Sequence, residues 1–164
     1  LFIVALTPLV MGAFSWLSNK GYELSTPKKI GIGMVIAAIG FVVILLSSIG
    51  LPSPHSLDGN AVDDSLRVSP YWLMSSYLVL TVAELFLSPM GLSFVSKVAP
   101  ARFQGLMQSG WLLATATGNK LLFLGSALWG RIDLYMLWGI FIICCIVSAI
   151  FIFAIMKKLE RVTK

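Results

Sequence analysis

The stretch PYWLMSSYLVLTVAELFLSPMGLSFVS, residues 70–96, decides the fold: 27 residues carry a single charged side chain, Glu84. At 1.5 Å per residue a helix of that length reaches about 40 Å, more than a ~30 Å hydrocarbon core requires. This is a membrane span. The rest of the chain agrees, with 58% hydrophobic and 12% charged residues in 164 and a mean hydropathy of +0.93. A soluble domain has about 45–50% apolar and about 25% charged residues, and a chain this small could not bury so much apolar surface in water. A disordered tail and a disulfide scaffold are excluded. So is a nucleic-acid module, because the residues behind the net charge of +5 lie between apolar runs rather than along one face. Cys144 and Cys145 are adjacent and point about 100° apart in a helix. They read as small apolar residues without chemistry.

Working outward, complete spans are expected at Ile30–Gly50, Pro70–Ser96, Phe103–Trp129 and Ile132–Met156. Residues 1–17 form a partial span kinked at Pro8. The chain opens at Leu1 in apolar sequence, without Met or a basic leader region, and reads as a fragment that starts inside a membrane helix. The expectation is an all-α membrane protein of five transmembrane helices, the first truncated.

Basic residues orient the spans. Lys20, Lys28 and Lys29 lie in the first connector, Lys97 and Arg102 in the third, and Lys157, Lys158, Arg161 and Lys164 in the tail. The second and fourth connectors hold only Arg67 and Arg131, with Asp58, Asp63, Asp64 and Asp133 close by. The tail is therefore expected in the cytoplasm and the loop at 51–69 outside. Tyr71, Trp72, Trp129 and Tyr135 then fall at the outer interface, where amphipathic rings concentrate.

Within the spans, past the Asp133 at the very start of the last one, only Glu84 and Lys120 are charged. Glu84 lies 14 residues after Pro70 and 13 before Lys97, at the bilayer midplane. An ionised acid there costs about 2.5–3.5 kcal/mol on insertion scales. Tyr77, Thr81, Glu84, Ser88 and Gly91 fall within about 80° on a helical wheel, so the acid belongs to a polar stripe. Pro89 cannot donate to the Leu85 carbonyl and should loosen the helix beside it. An acid that only pairs with a neighbouring helix for assembly is the plainer reading, yet intramembrane acids are functional by default.

The next span has its own stripe, Gln104, Gln108, Trp111, Thr115 and Asn119, also within about 80°. Trp111 lies too deep for an interfacial anchor and reads as a gate or pocket wall, with ordinary packing as the alternative. Gly110, Ala114 and Gly118 form an edge that would admit another helix closely. Lys120 points about 180° from Trp111 and is expected to pair with a helix outside this chain. No catalytic constellation is present: His55 is the single histidine, and HExxH, GxSxG and a glycine-rich phosphate loop are all absent. No enzyme activity, cofactor, metal or nucleic acid is expected.

Ser69-Pro70-Tyr71-Trp72, Glu84-Leu85-Phe86-Leu87-Ser88-Pro89-Met90-Gly91-Leu92-Ser93, Lys97-Val98-Ala99-Pro100, Gly110-Trp111-Leu112-Leu113 and Gly118-Asn119 occur in this order. In these motifs and their spacing the chain resembles the proton-coupled oligopeptide transporters of the major facilitator superfamily, in their bacterial form. The resemblance spans nearly the whole chain and implies the last five helices of a twelve-helix core. It implies an alternating-access carrier that imports di- and tripeptides with protons, seated in the bilayer of the cell inner membrane. The partner would be the N-terminal half of the same transporter. By resemblance, Glu84 would bind the peptide's amino terminus, Ser88 would support it, and Trp111 would line the cavity and help close it from the cytoplasmic side. Thr115, Tyr77 and Thr81 join them as candidate substrate-binding residues by sharing the stripes. The family's N-terminal proton-coupling motif and its basic residues for the peptide carboxylate have no counterpart here, and no role carries over to Lys120.

Two other readings share part of the pattern. Another facilitator carrier, for nitrate or a metabolite, would share fold and topology; a non-transporting membrane scaffold subunit would share only hydropathy. The charge alternation makes a direct prediction for a cysteine-free full-length protein in intact cells. A cysteine at Asn60 is labelled by an impermeant maleimide and one at Arg102 is not. The reverse pattern would invert the topology.

Overall fold

The structure, a computed structural model, describes residues 6–8, 10–12, 25–51, 68–129 and 131–163. Four long helices make up most of it: α1 at Thr26–Ser48, α2 at Pro70–Val98, α3 at Gln104–Leu128 and α4 at Leu134–Thr163, with a 3₁₀ turn at Ala101–Phe103 between α2 and α3. Of the partial span expected at 1–17, residues 6–8 and 10–12 are helical, and the rest lies outside the described residues, as does most of the loop at 51–69.

The helix ends differ from the hydropathy boundaries for local reasons. α1 begins at Thr26, ahead of the expected Ile30, because Pro27 suits the first helical turn and carries the helix back past Lys28 and Lys29. It gives way after Ser48 to Gly50, whose φ of 87° lies in the left-handed region that favours glycine. α4 runs on past Met156 to Thr163, because a helix can continue beyond the apolar core into the interface.

By length and composition α1, α2 and the Leu134–Met156 part of α4 can each cross a membrane. α3 has the length, at 25 residues, but Gln104, Gln108, Ser109, Thr115, Thr117, Asn119 and Lys120 make it less apolar than its neighbours.

α1 is the centre of the packing and touches both α2 and α4. Its contact with α2 depends on small residues. A Cβ on Gly33 would meet Cβ of Phe86 at 2.9 Å and Cγ of Leu87 at 3.0 Å, and one on Gly40 would meet the Leu80 side chain at 2.9 Å. Ala37 is buried between these glycines on α1, and Ala83 is 1% exposed on α2. Backbones that approach this closely gain dispersion contacts, the main attraction between helices in lipid. The Ser76 hydroxyl, also 1% exposed, donates across the seam to the Gly40 carbonyl at 3.0 Å. Such a bond is worth about 0.6 kcal/mol in a membrane and fixes register.

On its other side α1 meets α4 through aromatic side chains. Phe41 stacks on Phe141 at 5.4 Å and on Trp138 at 6.3 Å between ring centroids, while Gly31 receives the ring of Phe153. The two glycines facing different obstacles should respond differently to alanine. At Gly33 the obstacle is Phe86 Cβ, fixed to the α2 backbone, so Gly33→Ala should destabilise by about 1–3 kcal/mol through overpacking. At Gly31 the nearest atoms form the far end of the Phe153 ring, which can swing aside, so the helix propensity of alanine offsets much of the cost. Thermal unfolding of the purified full-length protein should show a clear loss for Gly33→Ala and little for Gly31→Ala. Equal losses would contradict the fixed-backbone seam.

Candidate functional site

Packing against α1 occupies one side of α2 and leaves the side bearing the polar stripe open. Tyr77, Glu84 and Ser88 are exposed and Thr81 is half-buried. The Thr81 hydroxyl is satisfied within the helix, donating to the Tyr77 carbonyl at 2.7 Å. Glu84 has neither a hydrogen bond nor an ion pair among the described residues, and the same holds for Lys120. Pro89 sits inside a helix that continues through it, and its missing N–H leaves the Leu85 carbonyl, next to Glu84, without the usual helical donor.

α3 meets α2 at one end only. Just after the turn between them, Gln108 Nε2 donates to the Ser96 hydroxyl at 3.0 Å and Gln104 Nε2 to the Ser96 carbonyl at 3.4 Å. Farther in, the indole of Trp111 lies against Gly91 so closely that any Cβ there would overlap it. Beyond that contact every residue from Leu112 to Leu124 is exposed. The two helices thus bound a cleft with Trp111 at its closed end. Glu84 lies seven residues from Gly91 along α2, about 10 Å of helix.

The structure therefore brings Trp111 onto the stripe that carries Glu84 and Ser88. Thr115 is exposed one turn farther along α3; its hydroxyl donates back to the Trp111 carbonyl at 3.0 Å, and no hydrogen bond joins it to Tyr77, Thr81 or Glu84 among the described residues. The edge of Gly110, Ala114 and Gly118 receives no helix, since a Cβ on Gly110 or Gly118 would have nothing within 4 Å. A run of small residues records that a close approach is sterically open, and among the described residues nothing fills it.

Sequence reasoning did not find two features. One is the pairing of Gly91 with Trp111, across 20 positions, which no local pattern announces. The other is a cavity of about 670 Å³ at the opposite end of the bundle, lined by Phe41, Trp72, Tyr77, Leu80, Trp129 and Trp138 among others. Their sequence positions place Trp72 and Trp129 at the interface, and only the fold shows that they converge on Phe41 and Trp138. Glu84 does not line this cavity; Tyr77 lines it and also lies on the stripe.

Comparison with known proteins gives a consistent picture. Residues 1–133 match the POT family. The peptide transporter YePEPT of Yersinia enterocolitica is 36% identical over 119 residues, covering 73% of this chain and 22% of that protein. The di-/tripeptide transporter of Lactococcus lactis subsp. lactis is 33% identical over 121 residues, covering 74% and 22%. A crystal structure of a mutant peptide transporter POT in complex with alafosfalin superposes with a TM-score of 0.78 at 28% identity, covering 99% of this chain and 31% of that one. A POT structure in complex with sulfate gives a TM-score of 0.75 at 28% identity, covering 98% and 30%. The chain spans about a fifth of the length of the two relatives and under a third of the two structures.

If the open side of α2 faces water, single cysteines in a cysteine-free full-length protein should sort accordingly. A cysteine at Ser88 should react with a small water-soluble thiol reagent. One at Ala83, inside the α1 seam, should not, nor should one at Ile143, 63% exposed on the apolar surface of α4. Silence at Ser88 together with reaction at Ile143 would put the water on the wrong side of the bundle.

Proposed function

Because the chain belongs to the POT family, we propose that it supplies one wall of the substrate cavity in a proton-coupled carrier that imports di- and tripeptides by alternating access. The chain is a multi-pass membrane protein of the major facilitator superfamily fold. Such carriers hold substrate between two halves that rock against one another. The N-terminal half of the same transporter provides the opposite wall, and protons are the coupling ion. The carrier sits in the cell inner membrane with the tail of α4 in the cytoplasm, and it moves its substrate without chemical change.

The observation that carries this reading is Glu84, an acid halfway along a membrane helix with no side-chain partner among the described residues. A peptide's terminal ammonium fits it in charge and donor count: –NH₃⁺ offers three donors, and a carboxylate accepts them as charge-assisted bonds. The Leu85 carbonyl freed by Pro89 can take one of the remaining donors. Ser88, one turn along, supports the same group. Trp111, at the closed end of the cleft, offers a flat apolar wall to the peptide and restricts the way out toward the cytoplasm. Tyr77, Thr81 and Thr115 line the cavity farther along the same helices.

Glu84→Gln keeps shape and hydrogen-bonding capacity while removing the charge. In purified full-length protein, where binding is separated from the proton cycle, it should sharply weaken peptides with a free amino terminus. Peptides with a blocked amine should bind poorly from the start and lose little more. Equal losses for both would show that Glu84 does not read the amine. Trp111→Ala should impair uptake while protein level and membrane insertion stay nearly intact, and normal uptake kinetics would remove Trp111 from the cavity wall.

A further inference from the structure

We propose that Gly91 is a positioning residue for substrate: by lacking a side chain it seats the Trp111 indole against α2, and so sets how much of the cleft below Glu84 a peptide can occupy. The inference rests on the reading of Trp111 as cavity wall.

The geometry is specific. A Cβ at Gly91 would overlap Cζ2 and Cη2 of Trp111 and lie 3.0 Å from its Cε2, and these three indole atoms are the nearest neighbours it would meet. No other glycine in the described residues stands so tightly against a side chain. Gly91 is buried, and Trp111 is half-buried although its helix neighbours from Leu112 onward are exposed. The seat is thus the deepest point at which α3 bears on α2. The remaining contacts, from Gln104 and Gln108 to Ser96, lie near the turn and do not touch the ring.

Gly91 also lies within about 20° of Glu84 on the helical wheel. A ring displaced from this seat therefore moves out over the same open side of α2 that carries the acid. It does not move into the α1 seam, which is already filled by Ala83 and its partners. The available volume shrinks from the end opposite Glu84. A ligand anchored at Glu84 by its amine feels that loss in proportion to its length, so tripeptides should suffer more than dipeptides.

The test is a cycle in the full-length transporter: the unmodified protein, Gly91→Ala, Trp111→Ala and the double variant, each assayed for uptake of a dipeptide and a tripeptide. Gly91→Ala should raise KM for the tripeptide about tenfold, the range set by overpacking, with a smaller rise for the dipeptide. With Trp111→Ala already present, adding Gly91→Ala should change neither KM, because the atoms it would strike are gone. If Gly91→Ala alone does not fold, the double variant must recover monodisperse protein in detergent for the same reason. Equal effects of Gly91→Ala with and without the indole would overturn the proposal while leaving Trp111 as a wall, provided Trp111→Ala alone impairs uptake. Normal uptake by Trp111→Ala would instead remove the reading on which the proposal rests. A uniform loss for both peptides would reduce Gly91 to a packing position.

Discussion

Glu84 lies halfway along an apolar helix with no side-chain partner among the described residues, and their packing is arranged around that fact. Leaving an acid exposed at midspan costs several kcal/mol unless water, a cation or a hydrogen-bond donor meets it. The chain supplies none of these among its described residues. Its packing keeps the position open: α1 closes on the far side of α2 through Gly33, Ala37 and Gly40, and among the described residues α3 bears on α2 from Gly91 toward the turn. A helix pair held by small residues on one side leaves the other side free to face a cavity. The stability of the core and the availability of the acid thus follow from one division of the α2 surface.

The division also explains the unequal character of the helices. α1 and α4 are apolar over most of their length and join through stacked rings and a glycine, as suits helices whose remaining surface meets lipid. α3 is polar along one stripe and exposed through most of its length. Lys120 is part of that exposure. A basic side chain at such depth needs an opposite charge or an escape to the interface, and this chain offers no ion pair for it among the described residues.

Much of this was legible in the sequence, for definite reasons. Spans of about 20 apolar residues cannot be hidden in water, so the four long helices could be read directly, with their ends off by a few positions, as where Pro27 opens α1 ahead of Ile30. The stripe through Glu84 and Ser88 was legible because 100° per residue is a reliable ruler inside a helix. What escaped was contact between helices. The Gly33 and Gly40 seam lies on a helix apolar all round, where no face is marked by polarity. The edge of Gly110 and Gly118 had the more obvious spacing, yet no helix among the described residues covers it. Spacing reports which approaches are sterically open, whereas the fold selects among them. The meeting of Gly91 with Trp111 belongs to the same class, since it depends on how two helices cross and not on either sequence alone.

The most direct measurement is a structure of the full-length transporter with a dipeptide bound. The peptide amine should lie about 3 Å from a Glu84 carboxylate oxygen, with the Trp111 indole seated on Gly91 at the closed end of the cleft. An amine held elsewhere, with Glu84 paired instead to a basic residue of another helix, would contradict it.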